Sequence, residues 1–261
     1  MSTAATAALG LLAGFHGALY GAYKDSPHES FLLRRFVREV AIALVVSLAL
    51  PLFHPAARFQ TAFVLYLSIF ALTRIVTEFW KLFVRTEPQD GFRIPTQIHC
   101  VTGIVHNRLA RLLLGLGFLA SIYGIGALGT VVPDAWPDHV RGLLVGLAIG
   151  FAEAIAGAYK DGSIEGFSWR KFAKSPSFGA LGGVIASGHT MDAAFLLLAS
   201  IGSMRMFLEL LFKMVVPGYA PGKFRSMTGP FTEWTVRRQH FLVPYTITWL
   251  AYVALSSHPN W

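Results

Sequence analysis

Charge is what this chain has least of. Asp, Glu, Lys and Arg make up 14% of its 261 residues, where a soluble domain carries roughly a quarter. An ordinary soluble enzyme and a disordered segment are excluded on that ground. A single cysteine, Cys100, rules out an internal disulfide and fits no metal-ligand spacing. No Gly-x4-Gly-Lys-Ser/Thr loop is present to cradle a phosphate, since Gly222-Lys223 lacks both the spacing and the hydroxyl residue, and no His-Glu-x2-His pattern occurs. Acidic residues are scarcer than basic ones, 14 against 22, which leaves a net charge of +8. Nucleic acid is still not expected as a partner, because no soluble face interleaves basic and aromatic residues. No positive charge precedes Lys24, so the first apolar run does not read as a signal peptide.

What the chain has instead is apolar length. Its hydrophobic residues reach 54% and its mean hydropathy is +0.53. A helix crossing the hydrocarbon needs about 20 mostly apolar residues, and eight candidate runs lie near 4–23, 36–53, 59–83, 112–132, 143–159, 175–187, 191–212 and 241–256. The sixth is short and rich in glycine (Gly179, Gly182, Gly183, Gly188), a composition that also suits a re-entrant or partly unwound element. Eighteen of the 22 Lys and Arg gather in or beside the loops after runs one, three, five and seven, while the opposite loops hold only Arg58 and Arg141. Short loops rich in Lys and Arg stay cytoplasmic. Both termini are therefore expected outside the cytoplasm, with the chain in a cell (inner) membrane. The same charge offers a grip on anionic lipid headgroups.

The chain also repeats itself. Gly14-Phe15 and Gly21-Ala22-Tyr23-Lys24-Asp25 recur 136 positions later as Gly150-Phe151 and Gly157-Ala158-Tyr159-Lys160-Asp161, and 12 of the 25 positions aligned between 14–38 and 150–174 are identical. Further on, Arg74-x3-Glu78 matches Arg205-x3-Glu209, and Phe92-Arg93-x2-Thr96 matches Phe224-Arg225-x2-Thr228. Such self-similarity marks a duplicated architecture. The expected fold is an all-α integral membrane protein of about eight transmembrane helices. Residues 1–129 form a first four-helix repeat, 130–139 an outer linker and 140–261 a second repeat. An even number of spans per repeat makes the halves parallel, related by a pseudo-twofold axis along the membrane normal. Small residues four apart, Gly10, Gly14, Gly17 and Gly21 in run one and Gly146, Gly150, Ala154 and Gly157 in run five, suit close helix packing. Runs one and five are expected to meet near that axis, or else each packs within its own half.

Three groups of residues could carry chemistry. The doubled basic motif supplies Lys24, Arg34, Lys160 and Arg170, cations that can hold phosphate oxygens. Its carboxylates, Asp25, Glu29, Asp161 and Glu165, are oxygen ligands of the kind that hold Mg²⁺. The second group is Arg74 with Glu78 and Arg205 with Glu209, each pair four apart on one helix face. These arginines lie about 10–12 Å inside the basic interface at a rise of about 1.5 Å per residue, where charge defaults to a functional hypothesis. The structural alternative is an internal ion pair that locks neighbouring spans. The third group breaks the symmetry: His16 stands opposite Ala152, and Glu153 opposite Gly17. A direct His16–Glu153 pair across the axis would make a proton site.

These features favour a transporter or channel for a small anionic solute, with a charged intramembrane site between duplicated halves. Arg74, Glu78, Arg205 and Glu209 would bind the anion together with the basic motif. The alternatives are a membrane-embedded enzyme acting on a phosphorylated or nucleotide-linked lipid at the cytoplasmic face, and a non-catalytic membrane scaffold. The partners common to these readings are the bilayer and anionic lipid headgroups or a small anionic solute.

Overall fold

Inside hydrocarbon a backbone must satisfy its own amides and carbonyls, and a helix does so within one segment. All eight apolar runs fold as helices in the computed structural model, which describes residues 1–25, 31–86, 88, 95–100, 103–133, 135–210 and 237–257. They are α1 (Thr3–Asp25), α2 (Leu33–Phe53), α3 (Ala62–Phe79), α4 (Arg108–Val131), α5 (Asp138–Glu165), α6 (Trp169–Ser187), α7 (Ala193–Glu209) and α8 (Leu242–Ser257). A π-turn, Trp80–Val84, prolongs α3, and a two-residue hairpin pairs β1 (His99–Cys100) with β2 (Gly103–Ile104). Five helices among the described residues (α1 to α5) are long and apolar enough to cross a membrane. The chain is thus an all-α protein with the helices of an integral membrane protein. Residues 211–236, with Lys213, Phe224, Arg225 and Thr228, lie outside the described residues, as do Phe92 and Arg93.

Polar caps fix where several helices begin. The side chains of Thr61, Asn107, Ser168 and Asp192 each accept a hydrogen bond from a backbone amide in the first turn of α3, α4, α6 and α7, satisfying donors that a helix leaves unpaired. The sixth run differs from expectation. It starts earlier, at Trp169, and is an unbroken helix that carries Pro176 inside it. Its glycines mark an interface rather than unwinding. A Cβ on Gly179 or Gly183 would strike the carbonyl oxygens of Gly146 and Gly142 on α5.

That interface settles how the two small-residue stripes are used. On α1, a Cβ at Gly10 would lie 2.7 Å from Ser47 Cβ, and one at Gly14 would lie 2.7 Å from Val40 Cα, both on α2. On α5, Gly142, Gly146 and Gly150 meet α6 in the same fashion. Each stripe therefore packs on the next helix along the chain, and α1 does not meet α5 as an adjoining pair. Glycine is the reason, since removing Cβ lets two backbones touch and the nearest such partner along the chain is taken. The halves join elsewhere. α3 packs on α7, where a Cβ at Gly202 would strike the Leu67 carbonyl, while α8 lies against α1 and α4 against α5. Around this seam sits the main apolar core, with Phe63, Leu67, Phe70, Phe195 and Leu196 buried.

Filling the α5–α6 contact should therefore destabilise the bundle, while adding a side chain near the basic end of α5 should not. Gly146→Leu drives side-chain atoms into the α6 backbone and is expected to cost about 3 kcal/mol or more, read as a lower melting temperature in detergent. Gly157→Leu, where a Cβ meets nothing within 4 Å, is expected to melt near wild type. Equal losses would contradict the packing.

Candidate functional site

Among the described residues, buried charge meets this apolar seam around Arg74. Arg74, in the second half of α3, points one guanidinium nitrogen at Glu39 of α2 (Nη1 to Oε1, 3.5 Å) and the other at Glu209 of α7 (Nη2 to Oε1, 3.6 Å). The second carboxylate oxygen of Glu209 faces His16 Nε2 of α1 at 3.7 Å. On its other side the imidazole shares a hydrogen bond between Nδ1 and the Tyr66 hydroxyl (3.1 Å). Phe70 and Tyr245 hold the ring by their faces and edges, with centroids 4.8 and 5.0 Å away. His16 is wholly buried and Glu209 is 5% exposed. His16 Nε2, Glu209 Oε2, Glu39 Oε1 and Arg74 Nε are buried atoms without a hydrogen bond. A line of groups, Glu39–Arg74–Glu209–His16–Tyr66, thus runs across four helices with ion-pair spacing rather than closed hydrogen bonds.

A cavity of about 480 Å³ leads to this line from the basic end of the bundle. Among the described residues its cations are Lys24, Arg35, Arg38, Arg74, Lys81 and Arg85, and its carboxylates are Asp25, Glu39 and Glu78. Among these, six positive groups against three negative ones leave the described wall positive. Its shape follows from the glycines. α1 and α2 touch backbone to backbone at Gly14, but at Gly17 the nearest atom to a Cβ is the tip of Glu39 (3.1 Å), and at Gly21 nothing lies within 4 Å. The two helices diverge toward their charged ends, and the cavity fills the wedge.

The candidate residues divide accordingly. Arg74 and Glu209 come together, although not in the pairs that the four-residue spacing suggests. Glu78 turns to Lys81 (2.6 Å) instead of Arg74, and Arg205 to Glu153 of α5 (3.0 Å) instead of Glu209. A partner on a neighbouring helix can meet a guanidinium end-on, while a neighbour on the same helix competes with a nearer lysine. The direct His16–Glu153 pair does not form, since α1 and α5 are apart and each side chain has another partner. Lys24 reaches the cavity, pairs with Asp25 (3.4 Å) and lies over the Tyr20 ring. Arg34 and Arg170 are exposed at the starts of α2 and α6, and Lys160 is half-buried near the end of α5. Glu29 lies outside the described residues, as do the side chains of Asp161 and Glu165. Among the described residues no three His, Cys, Asp or Glu gather as metal ligands.

Four participants were not singled out from the sequence. Glu39 stands inside an apolar run, and an isolated carboxylate there was the available signal. Tyr66 and Tyr245 carry no such mark. Arg111, 1% exposed, donates to the carbonyl oxygens of Leu82 and Arg85 and so ties the start of α4 to the end of α3 beneath the cavity rim.

Removing one member of a buried ion pair leaves the other uncompensated, at about 3–5 kcal/mol. Arg74→Leu is expected to fall in that range. Arg205→Leu is expected to cost less, because Arg205 and Glu153 are more exposed. Melting of the two variants in detergent checks the order, and equal losses would show that Arg74 has no special burden. No family model, curated protein or solved structure matches the chain, so what this site can do follows from its own side chains.

Proposed function

We propose that the chain is a membrane transporter for an anionic solute, with Arg74 as the residue that meets the anion. The observation that carries this reading is the positive cavity that ends on a guanidinium shared between helices of both halves. Alternating access needs a site at the seam of two related bodies, and Arg74, Glu209 and His16 stand at that seam. The two bodies are the parallel repeats 1–129 and 140–261, joined by 130–139. Packing supports the duplication. The contact of Gly14 with Val40 recurs 136 positions on as Gly150 with Pro176, and α1 on α2 and α3 is matched by α5 on α6 and α7. In this reading the cation-rich ends face the cytoplasm and both termini lie outside, in a cell (inner) membrane.

The geometry also suggests how a proton would enter. An anion at Arg74 competes with Glu209 for the guanidinium. A carboxylate that loses its cation at 5% exposure carries a steep desolvation cost, and it is relieved by taking a proton or by drawing on His16. Anion entry and proton uptake are then one event. The proton site becomes His16 with Glu209, and Glu153 is left to neutralise Arg205.

Uptake into liposomes tests both steps, with a panel running from sulfate and phosphate to short alkyl phosphates. Wild type should concentrate at least one of them under an inward proton gradient. Arg74→Lys, which keeps the charge but loses the planar fork, should slow that uptake about tenfold or more. Glu209→Gln should keep exchange but lose the response to the gradient. No uptake of any anion by folded wild type would overturn the transport reading. For orientation, Ser2→Cys in a Cys100→Ser background should react with an impermeant maleimide from outside intact cells. Protection from outside together with reaction after lysis would invert the topology.

A further inference from the structure

The second half contains what the first half leaves open. Arg205 is the counterpart of Arg74, and Glu153, 3.0 Å from it, occupies the position that corresponds to Gly17. Gly17 lines the cavity, and Arg74 reaches only the longer contacts at 3.5 and 3.6 Å. An anion lying beside Gly17 would give Arg74 what Glu153 gives Arg205. The remaining walls say what else such a ligand carries. Phe36 and Ile42 of α2, Val76 of α3 and Trp80 of the π-turn that follows it line the same cavity, and the last two are 44% and 55% exposed. Apolar groups left uncovered beside a cationic floor suit a ligand with both characters. A water-borne anion uses only the floor. The start of α2 adds to this, since Phe31, Leu32 and Leu33 are exposed next to Arg34 and Arg35, the composition of a segment that lies in an anionic interface.

We propose that the cavity takes a phosphate-bearing lipid, with the phosphate at Arg74 beside Gly17 and the chain leaving between α2 and α3 past Val76 and Trp80. This rests on the anion-transport reading and names its substrate class. A volume of about 480 Å³ is of the size that holds a drug-sized ligand, much larger than a lone phosphate requires.

Native mass spectrometry of the full chain from neutral detergent tests it, with phosphatidic acid, phosphatidylcholine and inorganic phosphate as probes. Phosphatidic acid should bind at least about tenfold more tightly than phosphatidylcholine. That preference should fall about tenfold in Arg74→Lys and several-fold in Trp80→Ala. Gly17→Glu, which supplies the carboxylate in place of the ligand, should remove it while the protein still melts cooperatively. Inorganic phosphate that binds as tightly and displaces the lipid would overturn the lipid proposal and leave anion transport standing. Failure of both phosphate and phosphatidic acid to bind folded wild type would overturn the two together. Phosphatidic acid that binds all three variants like wild type would reduce it to a general annular lipid and sink the assigned site.

Discussion

The position of one guanidinium constrains everything around it. Arg74 carries a permanent charge into an apolar bundle, and it is offset by carboxylates from two other helices, so α2 and α7 must both be in place. The spacing that achieves this can be read along the seam. Gly202 meets Leu67 backbone to backbone, and two helical turns further along each helix stand Glu209 and Arg74. Seven residues advance both helices by about 10 Å, and because α3 and α7 run in the same direction the two groups arrive at one level. A side chain at Gly202 would part the helices and leave the charges short of each other. Close packing and ion pairing are thus a single constraint.

Two matching sequence motifs stand in unlike surroundings. Both halves carry Arg-x3-Glu, yet the carboxylates around the two arginines differ. Arg74 depends on Glu39, whose counterpart is Ser175, and on Glu209 from the other half. Arg205 is served within its own half by Glu153, whose counterpart is Gly17. His16, opposite Ala152, extends the line on one side only. Glu39 and His16 thus add polarity to the Arg74 line, while Glu153 adds it beside Arg205. Three positions that differ between the matching segments, 16, 39 and 153, separate a network open to a cavity from an ion pair that lies outside its lining.

Much of the fold was legible because its signal is long and additive. Eight apolar runs became eight helices, and an apolar stretch of this length has few other solutions in hydrocarbon. Glycine was harder to read. The run Gly179-x2-Gly182-Gly183 is compatible with unwinding or with contact, and only the presence of Gly142 and Gly146 opposite decides for contact. Arg74 and Glu209 were found as types, since charge in a span is conspicuous, while Glu39 was passed over. Their partners were not, because the four-residue rule describes an isolated helix. It says nothing of a carboxylate arriving from across the seam. Tyr66 and Tyr245 were invisible for a related reason: an aromatic residue in a span reads as core until a buried imidazole is found beside it.

The partners that sequence could not supply are also the ones that make the site responsive. A pair set on one helix is held by that helix and changes little when its neighbours move. Arg74 is bound instead to two other helices, and Glu209 is divided between Arg74 and His16 at 3.6 and 3.7 Å, close enough to attract and too far to lock. Any ligand or proton that strengthens one of these contacts does so at the expense of the next, and the helices that carry them must adjust. The strain has few outlets, because α1 is clamped to α2 at Gly10 and Gly14 and free of it only beyond Gly17. Room is therefore left at the charged ends of α1, α2 and α3, where the cavity lies, while the glycine contacts hold α1 to α2 at the opposite end.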